Sequence, residues 1–193
     1  MNNTNLTPPS ESSLRDAAMA HLARYASTRT GLTRVLERRI ENWAKRARRS
    51  GDLELIRAQV ATAKAMIAPI VVKLVAVGAV DDASFAASRS RSLTRAGRST
   101  LAVQAHLAAK GVPPDIARAA LLPDAEREFG ACLVAAKKRR LGPFGAGITP
   151  ELKRREMAAL ARGGFGERVV RELFELSREE AEEKLIDWRN RVD

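Results

Sequence analysis

Signals that begin and end helices divide residues 74–121 into three short helices, and no other feature constrains the fold of this chain as strongly. Gly78 is suited to end one helix, because glycine adopts the left-handed conformation of a C-terminal cap without steric cost. Asp81 is suited to cap the next helix through its carboxylate. Val80 before this cap and Phe85 four positions after it have the spacing of a hydrophobic staple.

A second helix in this block is predicted to end at Lys110-Gly111. A third is predicted to begin at Pro113-Pro114, since proline is well tolerated in a first helical turn. A similar pattern of helix, glycine, apolar residue and helix recurs 53 residues later, which predicts that the three-helix unit is repeated. The paired positions are Leu107 and Leu160, Gly111 and Gly164, Val112 and Phe165, Ile116 and Val169, and Leu121 and Phe174.

Composition favours helix along the whole chain of 193 residues. Apolar residues make up 45% but aromatic residues only 4%, so the core must consist mainly of Ala, Leu, Val and Ile. No strand pair or Asn-Gly hairpin signal is present. We predict an all-α fold of about nine or ten helices, arranged as an elongated array of tandem three-helix repeats. The predicted parts are a disordered N-terminus (1–10), an extended first repeat (11–78), a central repeat (79–122), a third repeat (123–176) and a C-terminal helix (177–193).

Several local expectations accompany this organisation. The first helix should begin at Ser13, with Asp16 as the acid of a capping box. The second should span about residues 30–49 as an amphipathic helix. Asp52 should cap the third helix, and Pro69 should kink or break it, because proline cannot donate a hydrogen bond to residue 65.

Two features are predicted near the C-terminus. The glycine-rich segment 142–147 should be a flexible joint; it is no phosphate loop, because no lysine and Ser/Thr follow its last glycine. The C-terminal helix should begin with a capping box formed by Ser177 and Glu180. Its predicted docking face consists of Leu185, Ile186 and Trp188.

The net charge of +11 and the pI of about 10.7 favour a polyanionic partner, either nucleic acid or a nucleoprotein surface. The C-terminal helix has a net charge of −2, so the positive charge lies on the preceding 176 residues. Basic side chains can also be merely solvated, and the stem of Arg89, in an apolar arc with Phe85, can instead pack while its head group pairs or snorkels. The candidate contact residues are Arg34, Arg38, Lys45, Arg48, Arg49, Arg89, Arg91, Arg95, Arg98, Lys110, Lys137, Lys138, Arg139, Arg140, Lys153, Arg154 and Arg162.

The central block resembles the RecX family of recombinase regulators. The matching residues are Gly78, Asp81, Asp82, Phe85 and Ala86, then Arg89, Gly97, Leu107 and Lys110-Gly111-Val112. A third-repeat motif of the family, Leu-x-x-Arg-Gly-Phe, is similar to Leu160, Arg162, Gly164 and Phe165, although Gly163 stands at the arginine position. The chain also departs from the family pattern at Ala79-Val80 and Arg98-Ser99, and its first repeat is longer between residues 40 and 70.

The resemblance implies tandem three-helix repeats that bind the RecA recombinase and its DNA filament. It implies restraint of filament growth, ATP hydrolysis and strand exchange in DNA repair and recombination. Contact with single- and double-stranded DNA should be non-specific, since no base-reading side chains are implied. We expect a monomer.

The residues expected for catalysis or metal binding are missing from the sequence. The single cysteine, Cys132, excludes an intramolecular disulfide and favours a reducing compartment, so we expect a cytoplasmic location. His21 and His106 are far apart and cannot form a zinc site with one cysteine. The pair Asp81-Asp82 could in principle bind a metal, but capping explains the first member. We therefore expect a non-enzyme without cofactor or metal, and without a membrane segment or secretory signal.

Two other functions remain open at this point. The first is a basic, all-helical nucleic-acid-binding protein without a recombinase partner. The second is a scaffold that binds protein partners through apolar faces. Binding of such a scaffold should depend little on salt, whereas contact with phosphates should depend on it steeply.

Overall fold

The computed structural model describes residues 7–49, 51–121, 125–147 and 149–192. These ranges contain eleven α-helical segments, one 3₁₀ helix and no strand, which confirms the all-α prediction. The predicted disordered N-terminus and the predicted boundary at residues 122–123 lie largely outside the described residues. The α-helices are α1 (Glu11–Leu22), α2 (Arg29–Ala47), α3 (Leu53–Ala65), α4 (Ile67–Ala76), α5 (Asp82–Arg95), α6 (Thr100–Ala109), α7 (Pro114–Ala120), α8 (Ala125–Arg139), α9 (Pro150–Arg162), α10 (Glu167–Leu173) and α11 (Arg178–Val192).

The start of α1 differs from the prediction. Ser10 caps this helix and forms a capping box with Ser13, so the cap lies three residues before the expected one and Asp16 has no part in it. The serine hydroxyl at the third helical position takes the role that an acid usually has in such a box. Because α1 ends at Leu22, Tyr25 lies beyond it and is 61% exposed.

The helical stretch that contains Pro69 is divided, as predicted. α3 ends at Ala65 and α4 begins at Ile67, two residues before the proline, whose missing N–H removes the hydrogen bond to residue 65. Together the two helices are long and apolar enough to cross a membrane by length and composition. One of their faces packs into a protein core, and a buried core helix meets the same criteria.

The chain forms two compact units, which we call unit 1 (Met1–Phe85 with Lys110–Val112) and unit 2 (Ala86–Ala109 with Pro113–Asp193). The division falls within α5, so these packing units differ from the repeats inferred from sequence, whose boundaries stay a prediction. The main core of unit 1 contains buried residues of α1, α2, α3 and α4: Leu14, Ala18, Leu32, Leu36, Ile40, Ala63, Ile67, Ile70, Val71 and Leu74, together with Val80.

The core of unit 2 is built on α8, which is buried from Gly130 to Ala136. The C-terminal helix α11 completes this core. Its buried residues are Ala181, Leu185 and Trp188, whereas Ile186 is 57% exposed. The predicted docking face was therefore wrong at Ile186, because helical geometry places positions 181, 185 and 188 on one face and turns position 186 away from it.

The glycine-rich segment 142–147 is not a flexible joint in its described part. Residues Gly142–Phe144 form the 3₁₀ helix, and Phe144 is buried in the core of unit 2. The backbone N–H of Gly142 donates to the Glu156 carboxylate at 2.7 Å. A buried aromatic anchor and a hydrogen bond to a buried acid hold this connection in one conformation.

One polar joint occurs twice, once in each unit. In unit 1 the hydroxyl of Thr28, the N-cap of α2, donates to the carbonyl of Lys110 at 2.6 Å. The next residue, Arg29, donates its backbone N–H to the carboxylate of Asp82 at 2.8 Å. The joint closes at Gly111, which has a φ of 76° and whose carbonyl accepts from the Thr30 hydroxyl.

Unit 2 repeats the same arrangement with different residues. The hydroxyl of Ser99, at the start of α6, donates to the carbonyl of Gly163 at 2.6 Å. Thr100 then donates its backbone N–H to the carboxylate of Glu128 at 2.9 Å. Gly164, with a φ of 88°, occupies the position of Gly111. In both joints a helix start is tied to a later helix end by a hydroxyl and to a later helix start by a carboxylate.

The two joints give a structural basis to the sequence pattern that recurs after 53 residues. Leu107 and Leu160 are fully buried, and Val112 and Phe165 are each 5% exposed. Gly111 and Gly164 are both left-handed. The recurring pattern thus marks helix ends that make equivalent contacts, which confirms the predicted repetition.

Candidate interaction surfaces

The predicted basic run at residues 137–140 serves mainly the fold of unit 2. Lys138 donates to the carbonyl of Ala96 at 2.9 Å, and Arg139 donates to the carbonyl of Ala159 at 3.3 Å. Lys137 lies 5.6 Å from the ring centre of Phe144 and also pairs with a glutamate of α11. These three head groups are held by contacts within the chain.

Arg140 is exposed and has an unusual backbone. Its φ of 54° is left-handed, a conformation that costs a residue with a Cβ about 1–2 kcal/mol. Its N–H donates to Lys137, and the following N–H donates to Ala136, which is the hydrogen-bond pattern of a helix C-cap. Glycine ends most helices of this kind, and Arg140 takes its place here.

Other predicted residues are exposed but dispersed. Arg89 donates from Nε to the Nε2 atom of His106 at 3.1 Å, so its head group is positioned by α6. Arg154 pairs with Glu151 on its own helix at 3.4 Å. The exposed or half-exposed remainder, none of which lines either of the two depressions described next, is Arg34, Lys45, Arg48, Arg49, Arg98, Lys110, Lys153 and Arg162.

Arg91 and Arg95 meet at a cleft of unit 2 with a volume of about 570 Å³. Both lie on α5, one helical turn apart, and both are exposed. Arg127 of α8 and Arg191 of α11 line the same cleft. We call these four side chains the arginine cleft.

Among the described residues, the rest of the cleft lining is mostly apolar and includes one acid, Glu126. Arg191 pairs with Glu126 at 3.0 Å on one side. The indole of Trp188 is 5% exposed and lies against Gly130, where an added Cβ would come within 2.1 Å of Nε1. The small lining residues are Ala87, Thr94, Ala119 and Ala120.

A second basic surface lies on α2 in unit 1. Arg38 faces the same depression as Arg39 and Arg46, with Asn42 and Val35 between them, and its volume is about 290 Å³. None of the described residues that line this depression, which we call the α2 groove, is acidic. The three arginines span about 12 Å along the helix axis at 1.5 Å per residue.

Four of the arginines at these two surfaces were not among the predicted contact residues. Arg39 and Arg46 could have been found, because positions 35, 38, 39, 42 and 46 share one face of an ideal helix. Nothing local marks Arg127 or Arg191. Their approach to Arg91 depends on how α8 and α11 pack, which no periodicity reports.

The acidic pair at the start of α5 is used for capping. Asp81 accepts the backbone N–H groups of Ala83 at 2.9 Å and Ser84 at 3.1 Å, as predicted. Asp82 is 3% exposed and caps α2 across the joint described above. Within the described part of the chain, no three His, Cys, Asp or Glu side chains are grouped closely enough to hold a metal.

Comparison with known proteins decides the family. The chain is 34% identical over 167 residues to the regulatory protein RecX of Myxococcus xanthus, and the match covers 84% of each chain. The chain belongs to the RecX family. Residues 81–121 also match the family model for the second three-helix domain of RecX.

Further RecX proteins match shorter parts of the chain. RecX of Agrobacterium fabrum is 34% identical over 113 residues, covering 58% of this chain and 60% of that protein. RecX of Mycobacterium ulcerans is 43% identical over 107 residues, covering 52% and 60%. The crystal structure of RecX from Lactobacillus salivarius has the same fold, with a TM-score of 0.57 and 17% identity over 84% of this chain and 93% of that one. The relatives are named regulatory proteins, and the sequence-based assignment to RecX is confirmed.

Proposed function

We propose that this RecX protein binds the RecA recombinase and its DNA filament and restrains filament growth, ATP hydrolysis and strand exchange. The observation that carries the proposal is the 34% identity to a regulatory RecX over 84% of both chains. It acts as a binding protein and not as an enzyme, in the cytoplasm, and needs no cofactor.

The charge distribution supports a nucleoprotein partner. Both compact units expose a cluster of arginines, one in the arginine cleft and one in the α2 groove. Neutralising phosphates with such side chains releases counterions and supplies affinity that is independent of base sequence. The exposed arginines are therefore suited to hold the protein on a filament whatever DNA it contains.

The alternative is nucleic-acid binding without a recombinase partner, which the α2 groove alone would support. The two functions differ in the ratio of the affinity for a RecA-coated DNA strand to the affinity for the same bare strand. A recombinase regulator binds a RecA-coated strand more tightly than the same bare strand, whereas a simple DNA-binding protein prefers the bare strand or shows no preference.

The test combines binding with activity. Labelled single-stranded DNA is titrated with the protein, bare and coated with RecA under a non-hydrolysable nucleotide, and RecA ATP hydrolysis on the same DNA is followed in parallel. We expect tighter binding to the coated strand and a lower rate of hydrolysis as the protein is added. Equal affinity for the two strands, with hydrolysis unchanged at saturation, would refute the proposal and leave the DNA-binding alternative.

A further inference from the structure

The arginines that line the α2 groove are not neutralised by acids in the described part of the chain. Arg38, Arg39 and Arg46 are exposed, and none of them contacts a carboxylate among the described residues. Other exposed cations of unit 1, such as Arg57 and Lys73, pair with glutamates. An unpaired guanidinium group keeps its charge and its N–H donors available for a ligand.

The acidic residues of α2 lie away from this groove. Helical geometry places Glu37 and Glu41 outside the arc that the lining residues share. The carboxylate of Glu41 pairs with Lys64 of α3 at 3.6 Å. The same geometry places Arg49, which is also exposed, on the shared arc one turn beyond Arg46. The row of cations therefore continues past the end of the depression without an interleaved acid.

The side chains of the lining fit phosphate groups better than a protein segment. Val35 is the one apolar residue among the described lining residues, and it is half-buried. A protein interface gains most of its affinity from a well-packed apolar centre, which one half-buried valine does not supply. Guanidinium groups donate in bidentate geometry to phosphate oxygens, and the side-chain amide of Asn42 adds a neutral donor between them.

The groove is suited to the backbone of a nucleic acid and not to its bases. None of the described lining residues is aromatic, and Trp43 of the same helix is buried in an apolar cluster. Proteins hold the bases of a single strand mainly by stacking them on aromatic rings. Arg38 and Arg46 lie about 12 Å apart along the helix axis, at 1.5 Å per residue. One strand of B-form DNA advances about 3.4 Å per phosphate, so this length corresponds to about three or four phosphates.

We infer that the α2 groove binds the sugar–phosphate backbone of DNA, with Arg38, Arg39 and Arg46 contacting phosphate oxygens and no side chain of the groove reading a base. The inference rests on the proposed function and adds to it a surface and the part of the DNA that this surface recognises. Unit 1 thereby carries a contact to DNA that is independent of base sequence.

The experiment measures binding to DNA and to RecA separately. A labelled oligothymidylate and a labelled strand of equal length without bases are titrated with the protein, and immobilised protein is tested against RecA in the absence of DNA. The groove variant is Arg38→Ala with Arg46→Ala. Arg38→Lys with Arg46→Lys keeps both charges, and Arg39→Glu is a second groove variant at an exposed position.

The matched control is Arg57→Ala with Lys73→Ala in unit 1. Both side chains are exposed and pair with glutamates, and the control loses the same two positive charges as the groove variant. Thermal unfolding of every variant is recorded, and Arg39→Glu keeps a folded test of the groove if the double variant is unstable.

We expect the parent to bind the strand without bases within about threefold of oligothymidylate, because phosphate contacts supply the affinity. The groove variant should lose at least about tenfold in affinity for both strands and less than about twofold for RecA, whereas the control should resemble the parent. The lysine variant should lie between the groove variant and the parent, since lysine keeps the charge but lacks the bidentate fork.

A folded groove variant that binds DNA like the parent, or that loses affinity for RecA instead, would overturn the inference and leave the proposed function in place. A parent that binds the strand without bases more than about tenfold more weakly than oligothymidylate would show that bases are contacted, against the inference. A parent that binds DNA through the groove but binds no RecA would remove the proposed function and leave this surface to the DNA-binding alternative.

Discussion

At the scale of single residues, the two adjacent aspartates before α5 have different structural roles. Asp81 caps its own helix from an exposed position. Asp82 is buried and supplies the acceptor for the first N–H of α2, more than 50 residues earlier. Removal of the second carboxylate takes the acceptor from the first N–H of α2 at a partly buried contact and empties a buried site, which is the costlier loss.

We therefore expect Asp82→Ala to lower the free energy of unfolding by about 1–3 kcal/mol. Asp81→Ala should cost about 0.5–2 kcal/mol through the lost cap. Urea unfolding measures both, and Asp82→Asn, which keeps an oxygen acceptor, should fall between Asp82→Ala and the parent. An Asp82→Ala protein as stable as the parent would show that water replaces the carboxylate.

Folding changes the ionisation of the cysteine of α8. Burial, with a smaller contribution from the charge of Glu128, raises the pKa of Cys132 from its ordinary value of 9.0 to about 12. The unfolded thiol therefore releases its proton at a lower pH than the folded one. The folded state loses stability as pH rises through this interval, because the unfolded state then binds fewer protons.

Two measurements check this expectation. A thiol reagent at pH 8 should label Cys132 only after denaturation, because the thiolate is the reactive form and the folded thiol is buried and protonated. As the pH rises from 9 to 10.5, the parent should lose stability relative to Cys132→Ala, which has no thiol to ionise. Rapid labelling of the native protein would contradict the burial of this side chain.

At the scale of elements, the two joints explain why particular glycines occupy the helix ends. A Cβ at Gly111 would lie 2.4 Å from the Cβ of Thr30, and one at Gly164 would lie 2.6 Å from the Ser99 hydroxyl oxygen. Both positions also have positive φ. Conformation and close approach therefore demand glycine at the same place.

We expect Gly111→Ala to destabilise the protein by about 2–5 kcal/mol, since the left-handed backbone costs about 1–2 kcal/mol and overpacking about 1–3 kcal/mol. Gly78→Ala is the matched control. Gly78 is also left-handed, but its added Cβ would contact nothing within 4 Å, so only the backbone term applies. Equal unfolding midpoints for the two variants would show that Thr30 moves away from the added Cβ with no loss of stability.

At the scale of the whole molecule, net charge alone does not explain a binding surface. The chain carries +11, yet many of its cations are paired within the fold. In unit 1, Arg57, Lys64 and Lys73 each pair with a glutamate. The arginines of the α2 groove, in contrast, have no acidic neighbour among the described residues of its lining. We therefore expect the groove arginines, and not the paired cations, to be the side chains that contact phosphates.

The difference between the groove arginines and the paired cations can be tested with two triple variants of equal net charge. Replacing Arg38, Arg39 and Arg46 by alanine should make the log–log salt dependence of single-stranded DNA binding shallower by about 2, at about 0.7 per lost phosphate contact. Replacing Arg57, Lys64 and Lys73 by alanine also lowers the net charge from +11 to +8 and should leave the slope nearly unchanged. Equal slopes for the two triple variants would mean that only the total charge matters.

Local sequence was sufficient to predict much of the backbone. The Asp52 and Asp81 caps, the left-handed Gly78, the break before Pro69 and the Ser177–Glu180 box are all confirmed. Each is determined by atoms within five residues, so a reading of neighbours in sequence captures the whole interaction. The RecX resemblance belongs to the same class, since its motifs are these helix ends.

Tertiary structure alone decided which polar groups act at a distance. The sequence does not indicate that Asp82 caps α2, that Lys138 and Arg139 bind carbonyl groups, or that Arg191 faces the cleft of Arg91. These contacts join residues between 20 and 100 positions apart. Their geometry follows from how apolar stripes pack against one another, and that packing is a property of the assembled core.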